Sequence, residues 1–285
     1  MKFYGQHPTQ QRTHSTRRPV SLRAFTLIEL LLAATVSILL VGLLLLVISG
    51  IGSNYTHTQG AITRQGDISF AIDQLVQDLE GYVIPNFSTG EGLKITPETV
   101  EGTTNAVWLT LLSTATDADN SNVQTTNNFT GATRAISYRL AYQNTISSSA
   151  ASDKSYALYR SISSAKHTFD NVTSNSTNMQ AQYWPSAPSL PTAIGNFLSE
   201  NAVAFSVRFL RADTGQWTLP SDTVRIGRDG STINGTSVPG GFLRAEVSVT
   251  VLSPEGAQRV KDNVLSVNDA ISRYGQTAVR QTSFF

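Results

Sequence analysis

One carboxylate stands alone in the most apolar part of this chain. In RRPVSLRAFTLIELLLAATVSILLVGLLLLVISG, residues 17–50, Glu29 is the sole acid, four residues after Phe25 at the end of a basic stretch. A charge carried into a segment of this kind is costly in hydrocarbon and marks function by default. Two chemistries fit it. The carboxylate can serve as counter-charge to a cation held in lipid, or it can lie near the membrane surface and reach back to water.

Other residue types that could do chemistry are poorly placed. His7, His14, His57 and His167 have no ligand-like spacing, and the absence of Cys excludes disulfides and Cys-ligated metal. Asp117-Ala-Asp-Asn-Ser begins like a calcium loop, but Asn122 stands at the sixth position in place of Gly and Asn128 at the twelfth in place of Glu; a solvated loop is expected. Arg225-Ile-Gly-Arg-Asp-Gly reads as a hairpin turn, since no helix follows it to make a phosphate cradle. Trp108, Trp184 and Trp217 read as core or rim packing. The glycosylation patterns at Asn86, Asn128 and Asn234 are matches that a chain rich in Asn, Ser and Thr makes by chance. No catalytic residue, cofactor site or metal site is expected.

The element that must position Glu29 is a helix. Residues 25–52 hold ten Leu, four Ile, three Val and one Phe, and at about 1.5 Å per residue they can cross roughly 30 Å of hydrocarbon. Such residues contribute about −0.3 to −0.6 kcal/mol each on insertion, so together they outweigh one acid at roughly +2.5 to +3.5. The core is too long for an ordinary secretory signal. Residues 1–24 carry five basic residues and no acid, which places them on the cytoplasmic side and the rest outside. The remaining chain has 16 basic against 20 acidic residues, an unfavourable balance for nucleic acid.

Past the apolar run, Ile68, Ile72, Leu75, Val76 and Leu79 recur at helical spacing with Asp67, Asp73, Gln74, Gln77, Asp78 and Glu80 between them, and Gly81 and Pro85 are stop signals. One helix over 25–80 is expected, its second half packed on a head. Strands are then expected at 107–112, 135–142, 156–162, 202–210, 223–226 and 242–252, rich in β-branched and aromatic residues. In AVAFSVRFL, Val203, Phe205, Val207 and Phe209 share one face. The separators 113–131, 143–154, 163–196 and 227–241 are long and read as surface loops. Residues 256–274 read as one amphipathic helix on Val260, Val264, Val267, Ile271 and Tyr274.

Basic leader, small residue, then Phe-Thr-Leu-Ile-Glu-Leu resembles the signal of type IV prepilins and type II secretion pseudopilins. The resemblance implies a cut by a membrane prepilin peptidase between Ala24 and Phe25, N-methylation of Phe25, and Glu29 as the acidic residue that pairs with the cut amine of a neighbouring subunit. Glu29 could also neutralise its own Phe25 amine at i,i+4. Ala24 replaces the Gly usual before the cut. In the head, ISYRL, ALYRSI, AVAFSVRFLRADTGQW, LPSDTVRI and LRAEVSVTVL follow an order similar to that of the J-type minor pseudopilin and related minor pilins; a lineage-restricted verrucomicrobial cassette prepilin is a second family of similar appearance.

These readings together imply an α+β, pilin-like fold: a long N-terminal helix packed on an antiparallel β-sheet head. The expected divisions are a leader at 1–24 that is removed, a transmembrane part at 25–52, an amphipathic part at 53–82, and an extracytoplasmic β-rich head at 83–285 with a C-terminal helix. The expected role is a non-enzymatic minor pilin or pseudopilin of the bacterial inner membrane, with prepilin peptidase and other pilins as partners. The alternatives are a minor pilin for adhesion or DNA uptake and a membrane-anchored envelope binding domain.

Overall fold

The structure, a computed structural model, describes residues 26–84, 91–114, 133–144, 154–163, 165, 168 and 197–283, the side chains of 50–64, 104 and 105 excepted. The chain divides into two compact units, residues 1–55 and 56–285. Helix α1, Leu27–Glu80, supplies the described part of the first unit and opens the second. In the first unit its side chains from Leu27 to Ser49 are all exposed.

In the second unit the amphipathic half of α1 behaves as its spacing requires. Ile68, Ala71, Ile72, Leu75 and Leu79 are buried in the main core, with Val76 packed against it. The sheet they cover contains β1 (Glu91–Val100), β2 (Thr103–Ser113), β3 (Arg134–Asn144), β4 (Lys154–Ile162), β5 (Phe197–Glu200), β6 (Ala202–Arg211), β7 (Val224–Gly227), β8 (Gly230–Ile233), β9 (Thr236–Ser237), β10 (Phe242–Leu252) and β11 (Gly275–Ser283). One path through it runs β11-β10-β6-β2-β1-β7-β8-β9, while β3, β4 and β5 branch from β2. The branch arises because β2 is shared along one edge: Leu109 to Ser113 pair with β3, whereas Ala106 meets Phe205 of β6 in parallel. The architecture is α+β, a long N-terminal helix and a large, almost entirely antiparallel sheet.

Strand alternation sorts side chains between two faces. Val107, Leu109 and Leu111 of β2 and Ile136, Tyr138 and Leu140 of β3 join the main core. Leu112, Ala135, Ala141, Ala157 and Tyr159 form a second, smaller cluster with Trp108. Trp108 donates its indole N–H to Ser137 at 2.8 Å and lies under the Arg139 guanidinium.

Four expectations change. The segment 256–274 is two helices, α2 (Pro254–Lys261) and α3 (Val267–Tyr274), because Asn263 takes φ 56° and Ser266 caps a new helix by accepting from Asp269 N–H. Residues 227–241 hold two tight hairpins instead of one long loop. Arg228 and Asp229 turn β7 into β8, as the sequence suggested, and Asn234-Gly235, both at positive φ, turns β8 into β9. Val203 leaves the face of Phe205, Val207 and Phe209: the β6–β10 register shifts between Thr250 and Val251, the phase inverts, and Val203 packs with Leu252, Val267 and Ala270. Finally β1, β5, β8, β9 and β11 were not expected. The calcium-like loop at 117–128, His7, His14, His167, Trp184, Asn86 and Asn128 lie outside the described residues, as does the side chain of His57.

Candidate assembly site

The N-terminus of α1 carries a reciprocal cap. Thr26 lies just before the helix, and its backbone N–H and its hydroxyl each donate to Glu29 Oε2 at 3.1 Å. Glu29 N–H in turn donates to Thr26 Oγ1 at 3.3 Å. This is a capping box, Thr-x-x-Glu, in which donors that no earlier turn can satisfy find oxygen acceptors. A carboxylate in the first turn also faces the positive end of the helix dipole. Glu29 is therefore engaged by its own helix start. Both contacts fall on Oε2; among the described residues Oε1 has no hydrogen-bond partner. Ala24 and Phe25 lie outside the described residues, so the structure neither brings Glu29 to the Phe25 amine nor separates them.

Behind this cap runs a 23-residue stretch, Leu27–Ser49, with mean hydropathy 3.0 and none of it buried. It is long and apolar enough to cross a membrane. Within it Thr35 and Ser49 donate their hydroxyls to the carbonyls of Leu32 and Leu46, so these two hydroxyls are satisfied inside the helix.

At its other end α1 is tied to the sheet by a buried charge pair. Asp78 is 2% exposed. Arg160 of β4 donates to it with two nitrogens, Nε to Oδ2 at 2.8 Å and Nη2 to Oδ1 at 2.9 Å. Tyr138 of β3 donates its hydroxyl to Asp78 Oδ2 and accepts from Arg160 Nε at 3.0 Å. Burial, and next the neighbouring Asp78 charge, hold the Tyr138 phenol well above its ordinary range. Arg160 is in phase with Leu158 and Ile162, so the pleat aims it at the core, where an ion without a partner costs several kcal/mol. That phase was visible in YALYRSI, and a core-facing Arg calls for an acid on the covering helix. Sequence reasoning placed Asp78 on the polar side of α1 and missed the pair.

Further contacts fix the same half of α1 to β11. Thr282 donates to Glu80 at 2.9 Å, Gln276 donates to Gln65, and Arg280 lies 3.7 Å from Asp73. On the outer side of the head, Arg208 pairs with Glu246 and sits over Trp217. Asn234 is spent on its turn: its amide donates to Asp222 and its oxygen accepts from Thr223 N–H, both at 2.9 Å. Among the described residues no cluster of three or more His, Asp or Glu could hold a metal ion.

An exposed helix of membrane-crossing length, capped at its start and locked at its far half to an antiparallel sheet, defines the chain as an α+β head with an N-terminal apolar helix. No protein-family model and no curated protein matches it. Among solved structures it is similar to the type IV-like pilin TTHA1219 from Thermus thermophilus, at 10% identity and a TM-score of 0.35 over 77% of this chain and 93% of that chain. At that depth the likeness fixes no correspondence between residues.

Proposed function

We propose that the chain is a precursor of a filament subunit of the type IV pilin class, a minor pilin or type II secretion pseudopilin. It is cut between Ala24 and Phe25 by a prepilin peptidase, methylated on Phe25 and held in the bacterial inner membrane with its head outside the cytoplasm. Its role is structural: it assembles with other pilins through the N-terminal helix and performs no catalysis. The observation that carries this reading is the start of α1, where Glu29 stands in the first turn of an exposed, predominantly apolar stretch of 23 residues, four positions from the junction that the sequence resemblance marks for cleavage. A cut there leaves a cationic amine at the end of a membrane helix, and an ion in hydrocarbon needs a counter-charge.

The capping box favours a second reading. If Glu29 serves only to start the helix, the chain is an envelope domain on an ordinary anchor. Glu29→Gln separates the two, because a Gln at this position still accepts from Thr26 but carries no charge. The chain and its Glu29→Gln variant are expressed with a prepilin peptidase, and mature N-termini and filament incorporation are measured by mass spectrometry and shearing. Filament subunits require a start at methylated Phe25 in both proteins and incorporation of the wild type alone. An intact leader, or equal incorporation of Glu29→Gln, overturns the assembly role of the charge.

A further inference from the structure

The three terminal strands of the sheet are not alike. β9 has two residues, and β5 has four and meets β4 with a shifted register. Short or irregular strands are how sheets blunt their edges. β11 is different. It runs for nine residues, Gly275–Ser283, paired to β10 in nine consecutive steps with no bulge, no Pro and one charge, Arg280. Gly275, Thr277, Val279, Arg280, Gln281 and Ser283 are exposed, Val279 to 51%. Its contacts to Gln65, Asp73 and Glu80 of α1 reach one face of the strand, not its edge. Among the described residues no strand pairs with its outer edge, so about half of its backbone N–H and C=O groups point outward with no strand among those residues to pair them.

We infer that β11 is a docking edge for a second copy of this chain, the two β11 strands pairing antiparallel about a two-fold axis at Val279. The strand is complementary to itself in that register. Val279 meets Val279 of the second copy, an apolar pair that covers an exposed side chain. Thr277 falls opposite Gln281, Gly275 opposite Ser283, and Arg280 opposite Ala278, so no like charges face each other directly; the two Arg280 side chains lie on a diagonal, about 7–8 Å apart, and each is near Asp73 of its own chain. A two-fold axis makes one such contact closed, joining two sheets and ending there, which removes both open edges at once. The inference does not depend on leader removal or on filament assembly.

The chain contains no cysteine, which makes a direct test clean. Val279→Cys is introduced into the full chain, expressed in membranes and oxidised. Antiparallel partners lie about 4.5–5.5 Å apart between Cα atoms, within the roughly 4.4–6.8 Å that a disulfide spans. A cross-linked dimer is expected. Thr277→Cys alone should give none, since its two copies lie roughly 13 Å apart along the strand, whereas Thr277→Cys mixed with Gln281→Cys should cross-link. Leu219→Cys, on an exposed side chain, measures chance encounters. Val279→Lys, which sets two cations face to face, should lower the mixed Thr277–Gln281 yield several-fold while leaving circular dichroism unchanged. Cross-linking of Val279→Cys no greater than that of Leu219→Cys, loss of the register pattern, or capture of a different protein in place of a second copy overturns the inference.

Discussion

Glu29 and Asp78 are two acids on one helix with opposite surroundings, and each can be tested by single substitutions. Thr26→Val removes the hydroxyl of the capping box without touching the charge of Glu29, and should lower the stability of the helix start by about 0.5–2 kcal/mol. Hydrogen exchange of the first-turn amides, measured in micelles, should rise accordingly while membrane insertion persists. Removal of one partner from the buried pair is more severe. Arg160→Met leaves Asp78 with the Tyr138 hydroxyl and a 3.5 Å contact from the Gln74 amide but no counter-charge, and about 3–5 kcal/mol of head stability should be lost, read from the denaturant midpoint. Tyr138→Phe leaves the bidentate pair in place and should cost about 1–3 kcal/mol. The buried phenols also set a pH response. Burial pushes Tyr138 and Tyr82 upward, and Tyr156 up to about 12 by burial first and then by Tyr142 and Glu101. An unfolded Tyr ionises near about 10. The folded state prefers the neutral phenol, so this stability is present below about pH 10 and is lost as pH rises through the folded values. Thermal midpoints should be level through neutral pH and fall between about pH 10 and 12; a midpoint unchanged across that interval would contradict the burial of these phenols.

At the scale of elements, α1 changes role along its length while keeping one backbone geometry. Its first part exposes its apolar side chains, whereas its second part buries one stripe and leaves the opposite side to water. Leu75 is wholly buried, and Phe70, five residues earlier and so on the opposite side of the helix, is 62% exposed. Leu75→Ala should therefore cost about 2–5 kcal/mol through a cavity, and Phe70→Ser should change stability by no more than about 0.5 kcal/mol. Equal effects on the urea midpoint would mean that the helix presents the other face to the sheet. The junction of α3 and β11 is tight as well. A Cβ added at Gly275 would meet the backbone carbonyl of Ile271, and backbone cannot swing aside as a flexible side chain can. Gly275→Ala should accordingly destabilise the C-terminal helix pair, visible as faster exchange of the α3 amides.

For the whole molecule, residues 56–285 contain the covering half of α1, the full sheet and α2 and α3. They carry a core to which the long strands β1, β2, β3, β4, β6 and β10 all contribute, in which Phe205, Phe209, Tyr138 and Leu109 are among the largest fully buried side chains. A chain beginning near residue 56 should be soluble and monodisperse, with mixed helix and sheet by circular dichroism and cooperative unfolding. Aggregation of that fragment would mean that residues 1–55 or a partner complete the fold.

What the sequence alone determined is what a short window can encode: the apolar run and its length, the stripe Ile68–Leu79, and the strands of 107–112, 135–142, 156–162, 202–210 and 242–252, whose periods of 3.6 or 2 reflect one buried face. The Thr26-Glu29 capping box was equally local and was open to the same reading, as was the Asn234-Gly235 turn. Only the tertiary structure decided the rest. Asp78 and Arg160 are 82 residues apart, and their meeting depends on which strands lie beneath α1 and in what register. No single window contains that register. The phase inversion at Val203 follows from a shift opposite Thr250 and Val251 of a different strand. β11 turns one face toward the core and α1, but Ala278 is the one apolar residue on that face, so no apolar alternation marks the strand in its sequence. It is a strand because β10 offers it nine consecutive pairs, and backbone hydrogen bonding, unlike hydrophobic burial, leaves no mark in the order of residues.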